Sequence, residues 1–348
     1  MITLHTDDYR NLFIGSAFFS CGGGVPYKNS IELMNSGSEE NTRLLSLDEF
    51  SDDDWLCTVY AIGASGSGKK EYKTFLLAIE CLEKHLGVQI KGIIPGEIGS
   101  EINAVWTSSK KNIALVDTDM AGGRAVPEED MDIYGIKEIE STPAIVVNDQ
   151  SDVLIVKSSQ NMSLLESVYR AFAVASGGYC YIASRPIQKV NAQSILPPGT
   201  ISRSILIGNT ILKCKSEAEL INALHEGCGS KLLGAGKIVN NTLKNEPGFL
   251  SGITQISGSK TFDGKEFQIH YKNENIILFC DKECLCSVPD LISILDADSL
   301  LPVSNSSLQS GNNVLIFGTP ALPIWKTERG IDLLGPKRFG FQNDYIPL

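Results

Sequence analysis

The chain is short of positive charge, of histidine and of long apolar runs. Thirty Lys and Arg face 41 Asp and Glu, for a formal net charge of −11 over 348 residues. A general nucleic-acid binder needs a basic footprint and an anionic membrane surface attracts one, so neither is expected as a partner. No stretch reaches the apolar length of a membrane span, and the opening residues Met1-Ile2-Thr3-Leu4-His5 carry no basic lead into an apolar core. The four histidines, His5, His85, His225 and His270, are scattered, and none sits in a His-x-x-x-His or His-Glu context. A zinc-hydrolase motif is therefore absent. A Rossmann fingerprint is absent too. The run Gly63–Gly68 before Lys69 lacks the Walker spacing and the Ser or Thr after lysine, so no nucleotide cofactor is expected.

What is present fits a soluble globular protein, with 43% apolar and 20% charged residues. At this length one core is uncomfortable, and two domains are expected, 1–177 and 178–348. Nine cysteines are an odd count, and Cys57, Cys81, Cys180 and Cys214 lie in apolar surroundings. Reduced core thiols, and a cytoplasmic location, suit that pattern better than a disulfide framework. Cys280, Cys284 and Cys286 lack paired C-x2-C knuckles and an evident fourth ligand, so no metal is assigned to them.

Periodicity divides the chain into two textures. Thr6 with Asp7 and Asp8 predicts a helix start, and Leu12, Phe13, Ser16, Ala17 and Phe19 share helical spacing up to a stop at Cys21-Gly22-Gly23-Gly24-Val25-Pro26. Strands are expected at 56–62, 88–94 and 113–117, separated by helices at 71–86 and 99–108. That β-α-β-α-β order predicts a mostly parallel or mixed sheet, with Glu97 and Asp117 at one carboxyl edge. A hairpin (143–148, 152–157), a helix (161–176), a strand (179–184) and helices near 199–212 and 217–226 follow. Beyond Gly227 come short strand-like runs with Gly and Asn turns. The fold class is thus an α/β N-terminal domain plus a β-rich α+β C-terminal domain.

Residues 113–128 concentrate chemistry. A buried apolar strand ends at Asp117 and Asp119, then come Gly122-Gly123, Arg124 and, past Pro127, Glu128. Such groups at a sheet edge are costly to bury unless they pair with each other, a metal or a substrate. If the strand continues, Asp117 and Asp119 share a face, and their repulsion makes one an acid/base or lets both hold a divalent metal. The alternative is a turn cap and an ion pair to Arg124. Glu97 is a second acid or a helix cap. Arg124 positions a carboxylate, the substrate's or that of Glu128. Asn103 hydrogen-bonds ligand amides or faces solvent. Cys21 is a nucleophile or a small core thiol at a helix stop, and the helix dipole there disfavours thiolate. Three consecutive glycines, Gly22, Gly23 and Gly24, exceed what a cap needs and suit close approach to a ligand.

Several of these residues recur as an ordered set: Cys21-Gly-Gly-Gly-Val-Pro26-Tyr27; Pro95-x-Glu97-x-Gly99-x-x-x-Asn103; Asp117-x-Asp119-x-x-Gly-Gly-Arg124-Ala-x-Pro127-Glu128; Asn273-Glu274; Val288-Pro289-Asp290-Leu291-Ile292; and Gly335-Pro336-x-x-Phe339-Gly340-Phe341 with Asp344-Tyr345-x-Pro347. This set resembles the S-methyl-thiohydantoin desulfurase family over nearly the whole chain, a family also found fused to hydantoinase/oxoprolinase subunits. The resemblance implies a hydrolase-type enzyme that converts a small hydantoin-like heterocycle and releases methanethiol. Its alternative is a non-catalytic partner or regulatory subunit of a hydantoinase/oxoprolinase-type enzyme. The implied partner is a small heterocyclic substrate, and assembly as a homo-oligomer is left open. Two departures touch the site: the family's cysteine aligns at Ser20 or at Cys21, and Ala64-Ser65-Gly66-Ser67-Gly68 stands where the family has a Gly-x-Pro.

Overall fold

A computed structural model describes residues 1–37, 42–63, 72–246 and 249–348. The chain forms two compact units, each assembled from several stretches. The first comprises Met1–Asp7, Glu32–Gly122 and Glu128–Ile201; the second comprises Asp8–Ile31, Gly123–Pro127 and Ser202–Leu348. Residues 64–68, where the sequence departs from the family's Gly-x-Pro, and Lys69 lie outside the described residues. Among those residues no helix is long and apolar enough to cross a membrane.

The first unit is α/β. Its strands are β1 (Ile2–Leu4), β2 (Thr42–Leu45), β3 (Trp55–Gly63), β4 (Ile90–Pro95), β5 (Ala114–Val116), β6 (Ala144–Val147), β7 (Val153–Val156) and β8 (Tyr179–Gln188). They lie in the order β1-β2-β5-β4-β3-β8-β6-β7. Pairs β2–β5, β5–β4 and β4–β3 are parallel and the others antiparallel, so the sheet is mixed. Helices Thr74–Leu86 and Ile102–Lys111 supply the two crossovers that parallel neighbours require. The first stops at Gly87, whose left-handed φ of 70° lets its N–H cap Glu83. Helix Met162–Ala175 starts at Asn161, whose side chain accepts from the Leu164 N–H at 2.9 Å. It lays Leu165, Tyr169 and Ala173 against Ile62, Val146, Cys180 and Ile182 of the sheet. Each buried Leu, Ile or Val among them contributes about 1.5–3 kcal/mol.

The second unit is β-rich. Its strands are β9 (Lys231–Glu246), β10 (Phe249–Gly258), β11 (Glu266–Lys272), β12 (Glu274–Cys280), β13 (Glu283–Ser287), β14 (Leu291–Asp296) and β15 (Asn313–Thr319). All pairs are antiparallel, in the order β13-β12-β11-β10-β9-β15-β14, and β14 packs back onto β12, so the sheet curls. Ile238, Phe267, Ile269, Leu278, Ile292 and Ile316 fill its interior. Helix Thr6–Phe19 crosses helix Thr200–Lys213 so closely that a Cβ on Gly15 would fall 1.8 Å from the Ser204 carbonyl. The first helix delivers the glycine turn: Ser293 Oγ donates to the Phe18 carbonyl at 2.6 Å, tying its last turn to β14.

Candidate functional site

In the second unit the chain leaves helix Thr6–Phe19 through a turn at residues 20–24. Cys21 takes φ 54° and Gly22 φ 85°, both left-handed. The turn is held by backbone on three sides. The Gly23 N–H donates to Ser20 at 3.0 Å, the Asn275 N–H to Cys21 at 2.8 Å, and the Asn305 N–H to Gly22 at 2.9 Å. The glycines have a steric reason. A Cβ on Gly23 would lie 2.0 Å from Glu274 Oε1, and one on Gly22 would lie 2.6 Å from the Asn305 side chain. Two buried polar side chains therefore press directly on this main chain.

Beneath the turn lies Arg124, fully buried. Its Nε donates to the Ala125 carbonyl at 3.0 Å and its Nη1 to the Pro289 carbonyl, while Nη2 has no hydrogen-bond partner. Burial pushes its pKa down, opposed by the nearby Cys21, Glu274 and Asp290. The Cys21 thiol, also fully buried, is pushed up to about 11 by desolvation; Arg124 and an N–H from Ile292 only partly offset this. At neutral pH this environment holds the thiol in its neutral form. Two buried amides beside the turn are also incompletely used. Asn275 Nδ2 donates to Ile292 and Asn305 Nδ2 to Asn273, both at 2.9 Å, but neither Oδ1 has a partner. A recess of about 270 Å³ opens against Ser20 and Gly23 and is ringed by Tyr27, Lys28, Asp296 and Ser304. Cys21, Arg124, Glu274, Asn275 and Asn305 are not among the residues that line it.

Asp290, in the Val288-Pro289-Asp290 motif, is structural here. Its Oδ1 accepts from the Ala321 N–H at 2.7 Å and its Oδ2 from the Leu348 N–H at 2.9 Å.

In the first unit, Glu97 and Asp117 follow β4 and β5 at the same carboxyl edge, as parallel pairing requires. The condition for Asp117 and Asp119 to share a face is not met. The strand ends at Val116, and the Thr118 N–H bends back to the Val116 carbonyl at 2.8 Å, which breaks the two-residue alternation. Asp117 is half-buried and Asp119 fully buried. Local contacts fix the loops: the Met120 N–H donates to Pro95 at 3.0 Å and Thr118 Oγ1 to Pro197 at 2.6 Å. Glu97 Oε1 accepts from Ser100 Oγ at 2.7 Å, a side-chain bond within the loop that precedes the helix starting at Ile102. Asn103 is buried on the first turn of its helix rather than facing solvent, and its Oδ1 has no partner. Glu128 is half-buried, and its carbonyl accepts from the Met131 N–H at 3.1 Å. Among the described residues no three His, Cys, Asp or Glu side chains gather as a metal site.

Sequence reasoning left out Glu274, Asn275 and Asn305 as site residues, although Asn273-Glu274 stood among the shared motifs. It also missed a buried network in the first unit. Arg185, at φ 52° within β8, donates through Nε to Asp132 and through Nη2 to Glu129, both at 2.8 Å, with Tyr60 beneath its guanidinium. The run Glu128-Glu129-Asp130 after Pro127 was the available signal.

Comparison with known proteins covers the whole chain. Residues 7–158 match the S-Me-THD-like N-terminal domain, and residues 159–348 match the S-Me-THD-like C-terminal domain. No curated protein matches. A crystal structure of a protein from Chromobacterium violaceum superposes with a TM-score of 0.84 at 19% identity, covering 100% of each chain. At that identity it speaks for the fold alone.

Proposed function

Because the chain belongs to the S-Me-THD-like family, we propose that it is a hydrolase of S-methyl-thiohydantoin-like rings, releasing methanethiol and leaving the hydantoin. One observation carries this reading. The glycine turn is bordered by a buried donor without an acceptor, Arg124 Nη2, and by buried acceptors without a donor, Asn275 Oδ1 and Asn305 Oδ1. A ring that alternates carbonyl and N–H complements that arrangement, and buried polar groups are otherwise costly to leave unmatched.

The reaction balances with water alone. A hydroxyl adds to the ring carbon bearing sulfur, the ring nitrogen gains charge, and the carbon–sulfur bond breaks as sulfur takes a proton. Arg124 is suited to stabilise the developing negative charge, because its donor is fixed in place before the reaction. Glu274, beside Gly23, is suited to take the proton from water and return it to sulfur. Cys21 is a poor nucleophile in this setting, since the same burial that seats it keeps its thiol neutral. Glu97, Asp117 and Asp119 are the competing source of the acid/base, with a divalent metal at Asp117 and Asp119 as a variant of that idea.

Purified protein incubated with a panel of S-methyl thiohydantoins should release methanethiol, measured with a thiol-reactive dye. Absence of turnover across the panel would overturn the reading. Given turnover, Glu274→Gln and Asp117→Asn assign the proton carrier, and metal analysis of active protein decides the metal variant.

A further inference from the structure

The recess of about 270 Å³ beside Ser20 and Gly23 lies wholly within the second unit, and none of the side chains offered above for the hydrolysis lines it. Two stretches of chain build its walls. Past the glycine turn, Val25 and Pro26 lead into helix Tyr27–Gly37, which sets Tyr27 and Lys28 in its first turn and carries no acid there. The second wall is the end of β14 with the segment that returns along it. The Val303 N–H donates to the Ile294 carbonyl and the Asp296 N–H to that of Leu301, both at 2.9 Å. Asp296 is fixed in turn, because its Oδ1 accepts from the Ser299 N–H and from Ser299 Oγ, both at 2.7 Å.

The lining divides by chemistry. Val25, Pro26, Leu301, Val303, Leu308 and Val314 make it apolar. Ser20 is buried and already committed, its Oγ donating to the Ala17 and Gly23 carbonyls, both at 3.1 Å. Lys28 is exposed and Asp296 half-buried. Both line the recess, yet among the described residues Lys28 Nζ and Asp296 Oδ2 make no ion pair or hydrogen bond, with each other or with a neighbour. Arg10 stands near enough to Tyr27 to act on its hydroxyl, but it does not line the recess and pairs with neither Tyr27 nor Asp296. Alone, Lys28 would be a solvated surface lysine. With an unmatched carboxylate bordering the same apolar recess, it complements a ligand that carries both charges.

We infer that this recess binds a free α-amino acid with an apolar side chain, its ammonium met by Asp296, its carboxylate by Lys28 and its side chain by Val25, Leu301 and Val303. The volume of about 270 Å³ falls just below the range of about 300–1,000 Å³ that holds drug-sized ligands, as suits so small a molecule. Each charged end gains a charge-assisted hydrogen bond, and the apolar wall disfavours a polar side chain. The site stands independently of the proposed hydrolysis. Its test reads binding of a compound that contains no thiohydantoin, so either reading can fail without the other.

The full chain is titrated calorimetrically with L-leucine. Three partial probes accompany it: 4-methylpentanoate, which lacks the ammonium, 3-methylbutylamine, which lacks the carboxylate, and glycine, which lacks the side chain. L-Leucine should bind saturably, with each partial probe at least about tenfold weaker. Lys28→Gln and Asp296→Asn should each weaken L-leucine about tenfold as one charge-assisted bond is lost. Lys28 is exposed, and asparagine keeps the Oδ1 that holds Ser299, so both variants should fold. The partial probes decide the matter on the parent protein without any variant. The inference is overturned if L-leucine shows no saturable binding, if any partial probe binds as tightly as L-leucine, or if either variant binds L-leucine as the parent does.

Discussion

Two buried arginines, one in each unit, solve the same problem in opposite ways. Arg185 spends its guanidinium on two carboxylates, Asp132 and Glu129, and on Ser184 Oγ at 3.3 Å, and these charges hold its pKa well above the ordinary value. Arg124 hydrogen-bonds only to backbone carbonyls and keeps Nη2 without a partner, and burial pushes its pKa down although Glu274 and Asp290 lie near enough to oppose the shift. A buried cation with matched anions is a closed assembly that fixes structure. A buried cation with a donor to spare is prepared for a further acceptor. Both are invisible to composition, and they differ in what they should do when removed.

The largest effect expected is on Arg185. Arg185→Met leaves Asp132 and Glu129 buried without their cation, at a cost of about 3–5 kcal/mol. Denaturant unfolding should show that loss. A variant as stable as the parent would erase the contrast. Arg124→Met should reverse the balance. Activity on an S-methyl thiohydantoin should fall about 10²–10³-fold, while stability falls by about 1–3 kcal/mol as two carbonyls lose a charged donor. Equal damage to stability in both variants, with activity intact in the second, would make Arg124 a purely structural residue.

Gly23→Ala sharpens the comparison by moving a neighbour of Arg124 instead of the arginine itself. The new Cβ would occupy the space of Glu274 Oε1, so the carboxylate must swing away. About a tenfold fall in kcat with KM little changed is expected if Glu274 carries the proton. A change confined to stability would assign the glycine to packing alone.

What could be read in the sequence divides along the same physical line. Elements whose pattern is local were legible: helix Thr74–Leu86 with its Gly87 stop, the β6–β7 hairpin, and the carboxyl-edge placement of Glu97 and Asp117. Strand β9 was not, because Gly234, Gly236, Asn240 and Asn241 are poor strand formers and only pairing with β10 and β15 makes them extend. The glycine turn was legible as a place of close approach. What approaches it was not, since Glu274 and Asn305 lie some 250 residues or more further along the chain. The end of β5 at Val116 depends on the Thr118 bend, which no periodicity reports.

The smallest expected effect concerns Cys21, whose thiol shares its surroundings with Arg124. Its folded pKa is raised from 9.0 to about 11, chiefly by desolvation. A raised pKa means that the folded state holds the proton more tightly, so the stabilisation is fully present below pH 9 and is lost as pH rises from 9 through 11. By pH 10 the loss attributable to this thiol is about 1 kcal/mol. Cys57 and Cys180, also raised by burial, contribute in the same direction. Cys21→Ala should therefore flatten, without abolishing, the decline of the denaturation midpoint between pH 8 and pH 10, and should leave turnover within about threefold of the parent. A steeper decline would mean the thiol already ionises near neutrality beside Arg124. A loss of turnover as large as that of Arg124→Met would return Cys21 to the role of nucleophile and remove water from the first step.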